Sequence, residues 1–190
     1  MKKTRLLGIR ELTLIALSVA LIIVCSYIAI PTPIGHITLQ LFAVLLIAST
    51  LDLKKSFISV TLYVAMGLVG LPVFAGFRGG IGVLLEVSGG FLVAFILISV
   101  IIPLARRFFG DSRQCIAIAS VGSILLSYLI AVIWIHVVYG EIHPGSFIIF
   151  LLLYTAFFIM PDLLKLALVL YAAPRIRKFT DFSTNKKVSS

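Results

Sequence analysis

The stretch QCIAIASVGSILLSYLIAVIWIHVVY, Gln114 to Tyr139, decides the fold. It runs for 26 residues without an Asp, Glu, Lys or Arg. About 20 apolar residues at roughly 1.5 Å rise each suffice to cross the hydrocarbon of a bilayer. Further apolar runs surround it: Leu12–Ile30, Ile37–Leu51, Ser56–Gly70, Ile81–Ala105 and Ser146–Ala173. The 190-residue chain is 61% hydrophobic and 12% charged, whereas soluble domains are about 45–50% apolar and about 25% charged. That contrast excludes an ordinary soluble enzyme and, more firmly, a disordered chain. The expectation is an all-α integral membrane protein: a single membrane domain over 1–190 with six transmembrane helices.

The net charge of +9 reads as a topology signal. Four cations precede the first run (Lys2, Lys3, Arg5, Arg10). Two lie at 52–55 (Lys54, Lys55) and three at 106–113 (Arg106, Arg107, Arg113). Five follow the last run (Arg175, Arg177, Lys178, Lys186, Lys187). These fourteen fall on one side of a six-span chain, and Arg78 is the lone cation of the opposite joints. The positive-inside rule then places both termini and the basic joints in the cytoplasm. Dispersed in this way, the cations do not form a nucleic-acid patch. Leu12–Ile30 is longer than a signal-peptide core and lacks a small-x-small site after it, so it is expected to stay as the first helix.

The expected helices are 12–30, 37–51, 56–70, 81–105, 114–139 and 161–178. A short apolar helix covers 147–158 and a cytoplasmic tail 179–190. The break before 161 rests on Pro161, since proline suits a first helical turn, and on a last run that is long for one span. Cys25 and Cys115 sit in apolar runs and read as small buried hydrophobes.

Gly67 to Gly90 holds eight of the 14 glycines. Its centre, Gly70-Leu71-Pro72-Val73-Phe74-Ala75-Gly76-Phe77-Arg78-Gly79-Gly80, is an apolar joint on the outward side. Irregular backbone at membrane depth is tolerated where it is buried in protein or lines a cavity. The loop is either a tight connection or the wall of a ligand pocket. Arg78 within it suits a carboxylate or phosphate, because its fork meets two oxygens at once, although headgroup contact is the plainer alternative.

Pro161-Asp162-Leu163-Leu164-Lys165 places two charges inside an apolar run. Such charges are costly and usually functional. Asp162 and Lys165 are three apart and share a helix face, either as a self-neutralising pair or as ligand contacts. Counted back from the cytoplasmic end of the last helix, Asp162 falls in the outer half of the bilayer, at the depth of the Arg78 loop. The trio resembles a pocket for a small polar solute entering from outside. Glu86 is expected as a helix-start acid at the interface, with pairing to Arg78 or Lys165 as the alternative. Gln40, with Thr38, opens the second helix and can both donate and accept.

His36, His136 and His143 are scattered, and no metal-ligand spacing or nucleophile motif occurs. The sequence therefore suggests no catalytic residue, no metal and no cofactor. Ala16 and Ala20, four apart on the first helix, offer a flat face for another helix.

The run Gly70–Gly76, followed by Gly79-Gly80 and Gly89-Gly90, resembles the signature of the BioY family. These are the biotin-specific S components of energy-coupling-factor (ECF) transporters. The Pro31-Thr32-Pro33 loop before Ile37-Thr38-Leu39-Gln40, and Pro-Asp-Leu-Leu-Lys at 161–165, agree with it. The resemblance extends over about residues 12–178. Glu86-Val87-Ser88 departs from the usual Gly-Pro-Thr, and Phe91 stands in place of Tyr. The resemblance implies a biotin-binding subunit with Arg78, Asp162 and Lys165 in its site; Phe74, Gly79 and Gln40 are expected as further ligand contacts, Gln40 with bonding to neighbouring backbone as the alternative. The resemblance also implies docking through Ala16 and Ala20 on a transmembrane coupling protein that works with two ATPase subunits. An S component for another vitamin, a stand-alone biotin transporter and a small intramembrane enzyme are the competing readings.

Overall fold

The computed structural model describes residues 8–32, 35–86, 88–139 and 144–181. The helices are α1 (Ile9–Tyr27), α2 (Gln40–Thr50), α3 (Leu53–Leu68), α4 (Gly89–Phe109), α5 (Arg113–Tyr139) and α6 (Pro144–Asp181). Between α1 and α2 runs an antiparallel hairpin of β1 (Ala29–Thr32) and β2 (Gly35–Thr38), which pairs Ile30 with Ile37 and Pro31 with His36. A 3-10 turn, Ile81–Leu85, precedes α4. The sequence calls on Lys2, Lys3, Arg5, Pro33, Val87, His143, Lys186 and Lys187 lie outside the described residues.

The centre of the bundle is α2. Nine of its 11 residues are buried, and it packs on α1, α3, α4 and α6. Eleven residues span only about 16 Å, half of the hydrocarbon thickness. Hence α2 is buried among other helices, and among the described residues the helices long and apolar enough by themselves to cross a membrane are α1, α4, α5 and a segment of α6. Helix α4 packs extensively on α5. Gly90 makes that approach possible, because a Cβ there would sit 2.8 Å from the Ala131 Cα.

Several boundaries differ from expectation for local reasons. Helix α1 occupies 9–27, not 12–30, because Ile28 leaves helical geometry and the following residues join β1. Residues 37 and 38 of the expected second helix pair in β2 instead. Helix α3 begins at 53 rather than 56: the Asp52 side chain caps it, accepting from the Lys55 N–H at 3.0 Å. The expected helix 81–105 is interrupted. Gly80 has φ +94°, residues 81–85 form the tighter turn, and α4 starts only at Gly89.

The largest correction concerns the last run. The separate short helix 147–158 and the start at 161 are replaced by one helix of 38 residues with Pro161 in its interior. Proline removes one backbone hydrogen bond, and packing inside an apolar bundle tolerates that loss.

At the far end of α2 two arginines take its last carbonyls. Arg106 Nη1 donates to Leu51 O at 2.8 Å and Arg177 Nε to Ser49 O at 2.8 Å. Cations at a helix C-terminus satisfy orphan carbonyls and the dipole. Asp111 joins the two, 2.7 Å from Arg106 and 3.2 Å from Arg177. Partial burial pushes the Asp111 carboxyl up, but hydrogen bonds and charge from Arg106 and Arg177 outweigh it, so its pKa lies below the ordinary 3.8.

Candidate ligand-binding site

The loop from Gly70 to Gly80 folds back onto the bundle instead of leaving it. The Ser26 hydroxyl reaches Val73 O at 2.7 Å and the Tyr27 hydroxyl Pro72 O at 2.7 Å. Gly80 N–H donates to Gly67 O at 2.7 Å, and Phe74 and Arg78 pair as a short bridge. The Phe74 ring lies over Gly67, where a Cβ would come within 2.1 Å of it. That contact carries Phe74 into the core, 3% exposed and edge-on to Tyr63.

Beneath the loop is a cavity with about 70 Å³ of interior space, open at one end. The wall is mainly apolar, with Leu41, Phe74, Phe91, Leu92, Phe95 and Phe158. Its polar groups come from opposite sides: His36, Thr38 and Gln40 from β2 and α2, Arg78 from the loop, and Asp162 and Lys165 from α6.

Deep in the bundle, Lys165 Nζ donates to Asp162 Oδ1 at 2.6 Å, and the Tyr128 hydroxyl donates to Oδ2 at 2.6 Å. Both charged side chains are buried. Here the carboxylate is neutralised by one partner and hydrogen-bonded by another, which is how a buried charge survives. Gln40 Nε2 donates to the Tyr63 hydroxyl at 2.8 Å, and that hydroxyl donates to Val73 O at 3.2 Å. The chain Gln40–Tyr63–Val73 ties the α2 start to the loop.

Arg78 sits nearer the mouth. Its Nε donates to Ala75 O at 3.1 Å, and its Nη1 pairs with the Glu86 carboxylate. Glu86 is thus not a free helix-start acid. It follows the 3-10 turn, whose Leu84 carbonyl accepts from the Trp134 indole N–H at 2.7 Å.

Of the residues singled out in the sequence, Gln40, Phe74, Arg78, Asp162 and Lys165 line this one cavity. Gly79 does not. It packs on the loop itself, where a Cβ would meet Leu71 O at 2.2 Å, so its role is close backbone packing. Ala16 and Ala20 are exposed on α1. His136 is exposed on α5, away from the cavity lining. Tyr128 was missed, as was the place of His36 in the wall. A tyrosine in an apolar run needs a partner for its hydroxyl, and that was the available signal.

Comparison with known proteins agrees with this architecture. A Pyrococcus horikoshii protein named probable biotin transporter BioY is 35% identical over 88% of this chain and 96% of its own length. Biotin transporter BioY2 of Lactococcus lactis subsp. cremoris is 46% identical, over 48% of this chain and half of that protein. The crystal structure of the S-component for biotin from an ECF-type ABC transporter shares the fold. It aligns with a TM-score of 0.81 at 24% identity, covering 90% of this chain and 92% of that one. The BioY family model matches residues 1–182, and the chain belongs to the BioY family.

Proposed function

We propose that this protein binds biotin at high affinity and mediates its uptake across the bacterial plasma membrane. The observation that carries the reading is the buried Asp162–Lys165 pair at the base of an apolar cavity with Arg78 near its mouth. Family membership makes it a multi-pass transporter component, not an enzyme.

Biotin's chemistry fits that layout. Its ureido ring offers two N–H donors and a carbonyl acceptor. Asp162 accepts from a ureido N–H and Lys165 donates to the ureido oxygen. The thiophane ring lies under Phe74. The tail carboxylate, the most strongly hydrated part, stays near the mouth and meets Arg78. Gln40 supplies a further polar contact.

In this reading the chain crosses the bilayer six times, the short α2 and α3 completing their crossings with flanking irregular backbone that is covered by protein and not by lipid, and both termini are cytoplasmic. The exposed Ala16 and Ala20 face of α1 docks on the transmembrane ECF coupling protein. Two ATPase subunits power the cycle, and this subunit holds no cofactor of its own. Calorimetric titration of the ligand-stripped protein in detergent tests the reading. Saturable one-to-one binding of biotin without binding of thiamine is expected. A folded, monodisperse protein that gives no heat with biotin overturns it.

A further inference from the structure

Arg78 meets the cavity with its guanidinium already engaged. Nε is used by Ala75 O and Nη1 by Glu86. Arginine grips a carboxylate through two neighbouring nitrogens. The Nε–Nη2 edge is closed by Ala75 O, and a carboxylate gripping Nη1 and Nη2 would share Nη1 with Glu86; two carboxylates on one guanidinium repel, so an incoming carboxylate competes with Glu86 for Arg78. The Ala75 bond lies within the bridged loop turn and belongs to the fold of the loop. The Glu86 bond is a side-chain pair at the mouth, with exposures of 36% and 37%, against 8% and 5% for Lys165 and Asp162.

We infer that Glu86 is a specificity-determining residue that holds the place of the ligand's carboxylate on Arg78 and is exchanged for it on binding. The inference rests on the biotin reading above and names how that site weighs an acidic against a neutral tail. Glu86 can let go without loss of backbone structure. Its own N–H bonds to Val83 O, its carbonyl takes the Gly89 N–H, and the turn is pinned from behind by Trp134. Only side-chain torsions need change. The mouth pair and the deep pair together sum to zero charge, so an anionic ligand must compete for its cation, whereas a neutral-tailed ligand need not.

The test is titration of wild type, Glu86→Gln and Glu86→Ala with biotin and with its primary amide, whose tail carries no charge. Loss of the competing carboxylate should tighten biotin about fivefold, the scale of a partly exposed ion pair, and leave the amide unchanged. In an Arg78→Gln background the Glu86→Gln change should no longer alter biotin affinity. If both ligands shift together, if neither shifts, or if the effect survives without Arg78, the exchange is overturned and the biotin reading stands. A folded wild type that binds neither ligand overturns the biotin reading and the exchange with it. Glu86→Ala serves as the second variant should Glu86→Gln fail to fold.

Discussion

Lys165 and Asp162 meet at 2.6 Å one helical turn apart on α6, with both side chains buried. Each is the other's counter-ion, so removing one leaves a bare charge in the bundle, at a cost of about 3–5 kcal/mol. Asp162→Ala should therefore lower the unfolding temperature and weaken biotin binding about tenfold or more. The double variant Asp162→Asn/Lys165→Met should regain thermal stability and still fail to bind. Thermal unfolding and titration of both proteins check this. A double variant that binds normally would reduce the pair to scaffolding.

Gly67 and Phe74 give a prediction about the loop. A methyl at 67 collides with the ring, and overpacking of this kind costs about 1–3 kcal/mol. Gly67→Ala should push Phe74 off its seat and weaken biotin binding while leaving the helix content intact. Circular dichroism alongside titration separates the two effects.

Asp111 gives a pH dependence. Its folded pKa is held below 3.8 by Arg106 and Arg177 despite partial burial. A depressed carboxylate contributes stability that is present above the unfolded value and lost as pH falls through the folded one. The gap in unfolding temperature between wild type and Asp111→Asn should be constant from neutral pH down to about 5 and close progressively at lower pH. A gap independent of pH across that range would show that the carboxylate's charge is not what matters.

The exposed Ala16 and Ala20 supply the fourth prediction. Ala16→Trp adds bulk to a face that touches none of the cavity wall. Biotin affinity should be unchanged, and ATP-driven uptake in cells with coupling subunits should fall severalfold. Normal uptake would move the docking surface elsewhere.

The fold and site were legible where the signal was local and periodic. Asp162 and Lys165 declared themselves through i, i+3 spacing within an apolar run, and Arg78 through its isolation among outward joints. What stayed hidden depended on non-local geometry. Ile81-Gly82-Val83-Leu84-Leu85 reads as helix by hydropathy, yet the Gly80 backbone turns it into a 3-10 segment and delivers Glu86 to Arg78. The hairpin was hidden because Pro31 and Pro33 read as loop and its strands have only four residues each. Tyr128 lies 34 residues from Asp162, and no spacing rule connects them. Pro161 misled because its preference for a helix start does not bar an interior place, and the apolar run continues in helix on both sides of it.

That same proline lowers the bending stiffness of α6 locally. Without an N–H at 161, the Phe157 carbonyl has no helical partner, and the gap falls beside Phe158 and Asp162, at the height of the cavity. Toward the C-terminus, Arg177 is fastened to Ser49 and Asp111. Pro174 leaves a second such gap at the Leu170 carbonyl, so α6 can bend at two heights, one at the base of the cavity and one just before its anchor on α2.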